Sequence, residues 1–166
     1  MAAPDIVMYE EEFNQIKTVI SKLRIDANAK VVFLVDKNGQ QIAAQGEIEN
    51  LDTTSLASLT AGNVAATDGL ARLIGEKEFS ILFHEGERDN IHISIVAQRV
   101  ILVVIFDERS SLGLVRLRVK KASGELNDVF GRIMSKVERE RAAAGAAFES
   151  PFAEITDDDI DSLFSE

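Results

Sequence analysis

Two stretches of this chain constrain its fold more than any other feature. Val31 to Val35 and Val100 to Phe106 are unbroken apolar runs rich in β-branched residues. A strand with one wet face alternates apolar and polar residues, so runs of this kind predict strands covered on both faces, in the middle of a sheet. The chain must therefore supply other strands beside them and helices to cover them.

The flanking sequence supplies both. Tyr9, Phe13, Ile16, Ile20 and Leu23 recur at helical steps, and that helix is expected to end near Asp26 to Asn28. The first apolar run is followed by Asp36-Lys37-Asn38-Gly39, a hairpin signal, and Gln41 to Gln45 reads as the returning strand. Leu51 to Gly75 is predicted helical, with Asp52 or Thr53 to cap its start and Gly75 to end it. Phe79 to His84 reads as a strand, and Glu85 to Asn90 as a polar turn. Ile91, Ile93 and Ile95 then alternate with His92 and Ser94 at the period of a strand. Gln98 and Arg99 make a tight connection into the second apolar run. From Ser111 the helical period returns through Leu112, Val115, Val119, Ala122, Leu126, Val129, Ile133 and Val137. Gly124 and Gly131 weaken that helix by about 1 kcal/mol each relative to alanine. The expected class is α/β (α+β), with the order α-β-β-α-β-β-β-α. It forms one five-stranded antiparallel sheet with flanking helices over residues 1–140. Ala142 to Ala147 reads as a small-residue linker, and residues 141–166 as a flexible acidic tail.

Charge and residue inventory exclude several functions. The net charge is −10, and the segment from Phe148 to Glu166 holds seven acids and no base, leaving the first 147 residues at −3. Nucleic-acid binding requires a basic footprint that neither part has, and an anionic membrane would repel the tail. No apolar run approaches the ~20 residues of a membrane span, and the N-terminus lacks the order of a signal peptide. The expected location is the cytoplasm. There is no cysteine, so disulfides and thiolate metal sites are excluded. His84 and His92, placed to face each other across a hairpin, would need a further ligand such as Glu85 or Asp89 to hold a metal; two polar strand residues is the simpler reading. Asp157, Asp158, Asp159 and Asp161 lack the glycine and terminal glutamate of a calcium loop. Neither a phosphate-binding G-x-x-x-x-G-K-[ST] loop nor a dinucleotide fingerprint occurs. The chain carries no catalytic constellation and is expected not to be an enzyme.

The second helix is the most unusual element. Ser58, Ala61, Gly62, Ala65, Ala66 and Gly69 form one stripe of small residues. Leu56, Leu59, Val64, Leu70 and Leu73 form another, read here as the sheet-packing face. Glycines inside a helix cost about 1 kcal/mol each, so the bare stripe needs a compensating reason. Close approach by another helix is one; crowding within the domain is the other. The tail also has a pattern, with Phe152, Ile155, Ile160, Leu163 and Phe164 set among acids. It reads as either a solubilising segment or one that folds into a partner's groove.

The element order, Val31 to Gly39 and Leu56 to Ala66 together resemble the Roadblock/LC7 family, a resemblance that covers about residues 7 to 140; Val103 to Arg116 and, in the tail that only some members have, Ser150 to Ile155 look closer still to its bacterial members. The resemblance implies a homodimer in which the second helices pair and the sheets join through the third strand. Ser58, Gly62, Phe79, Ile81 and Phe83 would lie in that interface. It is close to the bacterial members that activate a Ras-like small GTPase of the MglA type in cell polarity and motility, with concentration at a cell pole. Ala61, Ala65, Ala66, Gly69 and Arg72 would then meet the GTPase, the tail would be a second anchor on it, and GTP and magnesium would belong to the partner. No cofactor, no nucleic acid and no membrane insertion are implied. The resemblance implies stimulation by stabilising the GTPase's own catalytic alignment, without an arginine finger; Arg72 and Arg99 are available, but neither sits in a distinctive loop. A dimeric scaffold without effect on hydrolysis and a small-ligand sensor are the alternatives.

Overall fold

The computed structural model describes residues 8–149. The elements follow in the expected order: α1 (Glu10–Asp26), β1 (Val31–Asp36), β2 (Gln41–Gly46), α2 (Thr53–Leu73), β3 (Ile81–Glu85), β4 (Asn90–Val96), β5 (Val100–Phe106) and α3 (Leu112–Glu149). The five strands form one sheet in the order β2-β1-β5-β4-β3, and every neighbouring pair is antiparallel. The two apolar runs are β1 and β5, paired at the centre. Every residue of both is buried.

Their alternation explains why no polar residue interrupts them. Val32 and Leu34 of β1, with Val100, Leu102, Val104 and Phe106 of β5, face one core, completed by Ile16, Ile20 and Leu23 of α1 and by Val115, Val119, Leu126, Val129 and Ile133 of α3. Val31, Phe33 and Val35, with Ile101, Val103 and Ile105, face a second core closed by Ala57, Ala61 and Val64 of α2. Two cores on opposite faces of one sheet require both strand faces to be apolar.

Local chemistry sets the turns. The Asp36 carboxylate accepts the backbone N–H groups of Asn38 and Gln40, each at 2.9 Å, which closes the β1–β2 turn. Gly39 there has φ +90°, and a Cβ on it would lie 3.3 Å from the Ser58 Cα of α2. At Gly46, with φ +117°, a Cβ would fall 2.1 Å from the Lys30 carbonyl oxygen, so only glycine can end β2 against that loop.

The structure corrects one reading of the last helix. Ala142 to Ala147, expected as a linker, continues α3 to Glu149. Alanine is the strongest helix former, and one Gly145 among five alanines does not offset it. The tail positions Phe152, Ile155, Ile160, Leu163 and Phe164 lie outside the described residues. Strand β3 also begins at Ile81 rather than Phe79.

Candidate functional site

Helix α2 starts at a built cap. The Asp52 carboxylate accepts the Ser55 N–H at 3.1 Å and the Ser55 hydroxyl at 2.6 Å. These hydrogen bonds hold the Asp52 carboxyl below its ordinary range. From there the helix crosses the β1–β5 side of the sheet. Its inward stripe is Ala57, Thr60, Ala61, Val64 and Ala71. Thr60 turns its hydroxyl back to the Leu56 carbonyl at 2.7 Å, which lets a polar residue lie on the buried side.

This stripe reverses the leucine assignment made from sequence. Leu59, Leu70 and Leu73 do not pack on the sheet; they are 72%, 60% and 83% exposed. Ala61, expected at a partner surface, is buried against the sheet. The reason is space. The sheet beneath α2 is already filled by Phe33, Val35, Ile101 and Val103, and the Gly39 turn presses against the helix at Ser58 and Ala61. Small residues fit under such a crossing and leucines do not.

The remaining small residues behave differently. Ser58, Gly62, Ala65, Ala66 and Gly69 are exposed, and a Cβ added at Gly62 or Gly69 would meet nothing within 4 Å. Crowding inside the domain therefore accounts for Ala57 and Ala61 but not for Gly62 or Gly69. At helical spacing, Leu59, Gly62, Ala66, Gly69, Leu70 and Leu73 share the outward face, a shallow floor of backbone with leucines around it.

The Asn63 amide meets the His84 ring Nε2 at 2.9 Å and ties α2 to β3. Strand β3 is an edge of the sheet, so one side of its backbone is unpaired with any described strand. Ile81 is 53% exposed there. Phe83 shares the face of Ile81, opposite the one that carries His84 toward α2, and is half-buried against the α1–α3 core and stacked on Phe106 at 6.2 Å between centroids. Phe79 is half-buried just before the strand. The structure thus ties α2 to β3 through Asn63 and His84, leaves the α2 outward face and Ile81 exposed, and turns Ala61 and much of Phe83 inward. Arg72 is exposed in the last turn of α2. Arg99 is exposed at the β4–β5 turn, which Ala97 and Gln98 make with φ of 52° and 60°.

The two histidines read from sequence as a possible metal pair are kept apart by the sheet. His84 and His92 do not face each other: Phe83 pairs with His92 and Ile91 with His84, so the two rings lie on opposite faces of the sheet. Among the described residues no three His, Asp or Glu side chains converge as metal ligands. An open surface depression of about 480 Å³ lies between the start of α1 and the β1–β2 turn, lined by Met8, Phe13, Asp36 and Ile42 among others. Its Asp36 carboxylate is already engaged by turn N–H groups. Among the described residues no helix is long and apolar enough to cross a membrane. Sequence reasoning misses His92 as a buried group, because a β4 residue faces α3 only once the helix is placed over it.

Comparisons with known proteins agree with this architecture. The Roadblock/LC7 domain model matches residues 15–106. The solved structure of Myxococcus xanthus MglB is 65% identical, with TM-score 0.73, covering 76% of this chain and 96% of that one. A gliding protein MglB from Thermus thermophilus is 31% identical with TM-score 0.72, covering 77% of this chain and 97% of that one. A further structure, described as MglB with tetrameric arrangement, is 29% identical with TM-score 0.73, covering 80% and 99%. No curated protein sequence matches.

Proposed function

Because the chain belongs to the Roadblock/LC7 family, with MglB proteins among its relatives, we propose that it is a homodimeric regulator of a Ras-like small GTPase of the MglA type, serving cell polarity and gliding motility. The observation that carries this reading is the outward face of α2. Gly62 and Gly69 are open, Ala65 and Ala66 are exposed, and Leu59, Leu70 and Leu73 rim them. A helix face that is apolar, bare and uncovered by its own domain suits close packing against a second protein surface. Paired with its copy, and with the β3 edges joined, it makes a double-helix platform. The tetrameric arrangement named for one MglB relative supports self-association.

The protein does no chemistry of its own and takes no cofactor; GTP and magnesium belong to the GTPase. It stimulates hydrolysis by binding the GTPase conformation whose own catalytic groups are aligned, which shifts the population toward that state. Arg72 sits at the end of a regular helix rather than on a loop that could extend into a nucleotide site, so no arginine finger is supplied. The tail is a second anchor on the GTPase. The protein works in the cytoplasm, concentrated at a cell pole, without nucleic acid and without inserting in a membrane.

Single-turnover GTP hydrolysis by an MglA-type GTPase, with and without the protein, tests this. Gly69→Arg should abolish stimulation while leaving the fold intact, because nothing lies within 4 Å of a Cβ at that position. Arg72→Ala should retain most of it. A loss on the order of 10³-fold in Arg72→Ala with binding unchanged would show an arginine finger and overturn that part. Binding without stimulation would make the protein a scaffold.

A further inference from the structure

A cavity of about 190 Å³ opens where the β4–β5 turn meets the middle of α3. Phe130 and Ile133, both buried in the α1–α3 core, line it together with half-buried Met134. Two further lining positions, Ala97 and Gly131, carry the smallest side chains, and both do so against local preference. Ala97 has φ 52°, a left-handed conformation that asparagine or glycine adopts more readily. Asparagine there would set an amide against the apolar lining. Gly131 stands inside a helix, where alanine is preferred, and a Cβ on it would meet nothing within 4 Å. Arg99 and Asn127 complete the lining, and both are exposed. Arg99 is the only charged residue of the seven, in a chain of net charge −10. Among the described residues, Lys30, Arg109 and Lys136 make ion pairs with carboxylates and Arg99 does not. Glu138, on the same side of α3 two turns beyond Gly131, is not paired with it.

We infer that this cavity binds a small apolar carboxylic acid, with one aromatic ring or short branched chain against Phe130, Ile133 and Met134 and its carboxylate on Arg99 and Asn127. Charge selects the anion. A planar guanidinium matches a carboxylate through two parallel N–H groups, and an amide side chain adds a further donor. A phosphate dianion fits less well, because a single cation lines the cavity and the second charge would be left against an apolar wall. Volume selects the size. Drug-sized ligands fill cavities of roughly 300–1,000 Å³, so about 190 Å³ admits one ring and a short chain. The flexible thioether of Met134 lets the wall adjust to either body. A bound acid would tie the β4–β5 turn to α3. The cavity lies on the α1–α3 side of the sheet and α2 covers the other, so the site is separate from the outward face of α2 and does not depend on the GTPase reading. An aromatic side chain beside an acid on another protein presents the same groups, and the experiment separates the two sources.

Phenylacetate is the probe, titrated to about 10 mM into the ¹⁵N-labelled full-length protein at constant pH and ionic strength. The amides of residues 97–99 and 127–134 should shift together and saturate, with a Kd on the order of 1 mM for a ligand of about ten heavy atoms. Phenylacetamide has the same shape without the charge and should bind about tenfold more weakly or worse, the loss expected for a charged hydrogen bond. Arg99→Gln should weaken phenylacetate to the level of the amide while leaving the amide's own affinity unchanged. Gly131→Leu should abolish the shifts, because its side chain enters the cavity, with the remaining amides unmoved. No saturable shift by about 10 mM would overturn the inference. So would equal binding of acid and amide, or shifts that survive Gly131→Leu in a folded variant. Saturable shifts with N-acetyl-aspartyl-phenylalanine amide but none with phenylacetate would assign the cavity to a side chain of a partner protein and overturn it as well.

Discussion

His92 sits on β4 with its ring toward α3, and neither ring nitrogen has a partner among the described residues. Burial lowers its pKa below the ordinary 6.5, and the charge of Arg116 on α3 lowers it further. The unfolded chain therefore binds a proton near pH 6.5 that the folded chain refuses, so stability is full above that pH and falls as pH drops through 6.5 toward the lower folded value. Glu12 shows the other arrangement. It is buried on α1 but paired with Lys136 of α3, whose hydrogen bond holds its carboxyl below the ordinary 4.5. Its contribution is present above that value and is lost as pH falls through the lower folded one. His92→Leu should raise stability at about pH 6 by about 1–3 kcal/mol, since it removes unsatisfied buried polar atoms without opening a cavity. It should flatten the pH dependence just below 6.5 while leaving the acid limb below pH 4.5. Urea unfolding midpoints between about pH 4 and 8 measure both. An unchanged slope near pH 6.5 would show that His92 is not the group responsible.

At the scale of elements, α2 and α3 differ in what their small residues are for. In α2, Ala57 and Ala61 fill a narrow gap over the sheet, while Gly62 and Gly69 face outward with open space. In α3, Gly113, Gly124 and Gly131 are all open, within a helix otherwise continuous to Glu149. An exposed helical glycine with room for a methyl group costs backbone entropy that alanine does not. Gly131→Ala should therefore stabilise the domain by about 1 kcal/mol, read as a higher unfolding midpoint at constant m-value. A decrease would mean that something unseen occupies that position. The helices and strands themselves are legible from periodicity, because a helical or strand repeat is a local property. The leucine face of α2 is misread from sequence because apolar periodicity identifies stripes, not which stripe the sheet accepts; that depends on Phe33, Val35 and Ile101, far away in sequence. Ala142 to Ala147 is misread because small residues suggest a linker by composition and a helix by propensity.

The whole molecule leaves Leu59, Leu70, Leu73, Ile74 and Ile81 exposed on α2, the residues after it and the β3 edge. Uncovered leucines on this scale are costly in water for a monomer. Sedimentation equilibrium should give twice the 18.2 kDa chain mass. Leu59→Glu combined with Leu70→Glu should give the single chain mass with an unchanged far-ultraviolet spectrum, because neither leucine supports the core. A monomeric parent protein, or a variant that still dimerises, would place the self-contact elsewhere.

From the residues alone came the central strands, the element order, the antiparallel pairing through short turns and the family resemblance. Each of these is written in local patterns or contiguous strings: unbroken apolar runs, Asn38-Gly39 and helical repeats. Tertiary structure alone decided that Ala61 turns inward while Leu59 and Leu73 turn outward, that His84 and His92 occupy opposite faces, and that His92 is buried. The physical reason is that burial belongs to pairs of surfaces. A helix has several faces, and which one is covered is settled by the shape of a sheet assembled from strands up to about seventy residues apart.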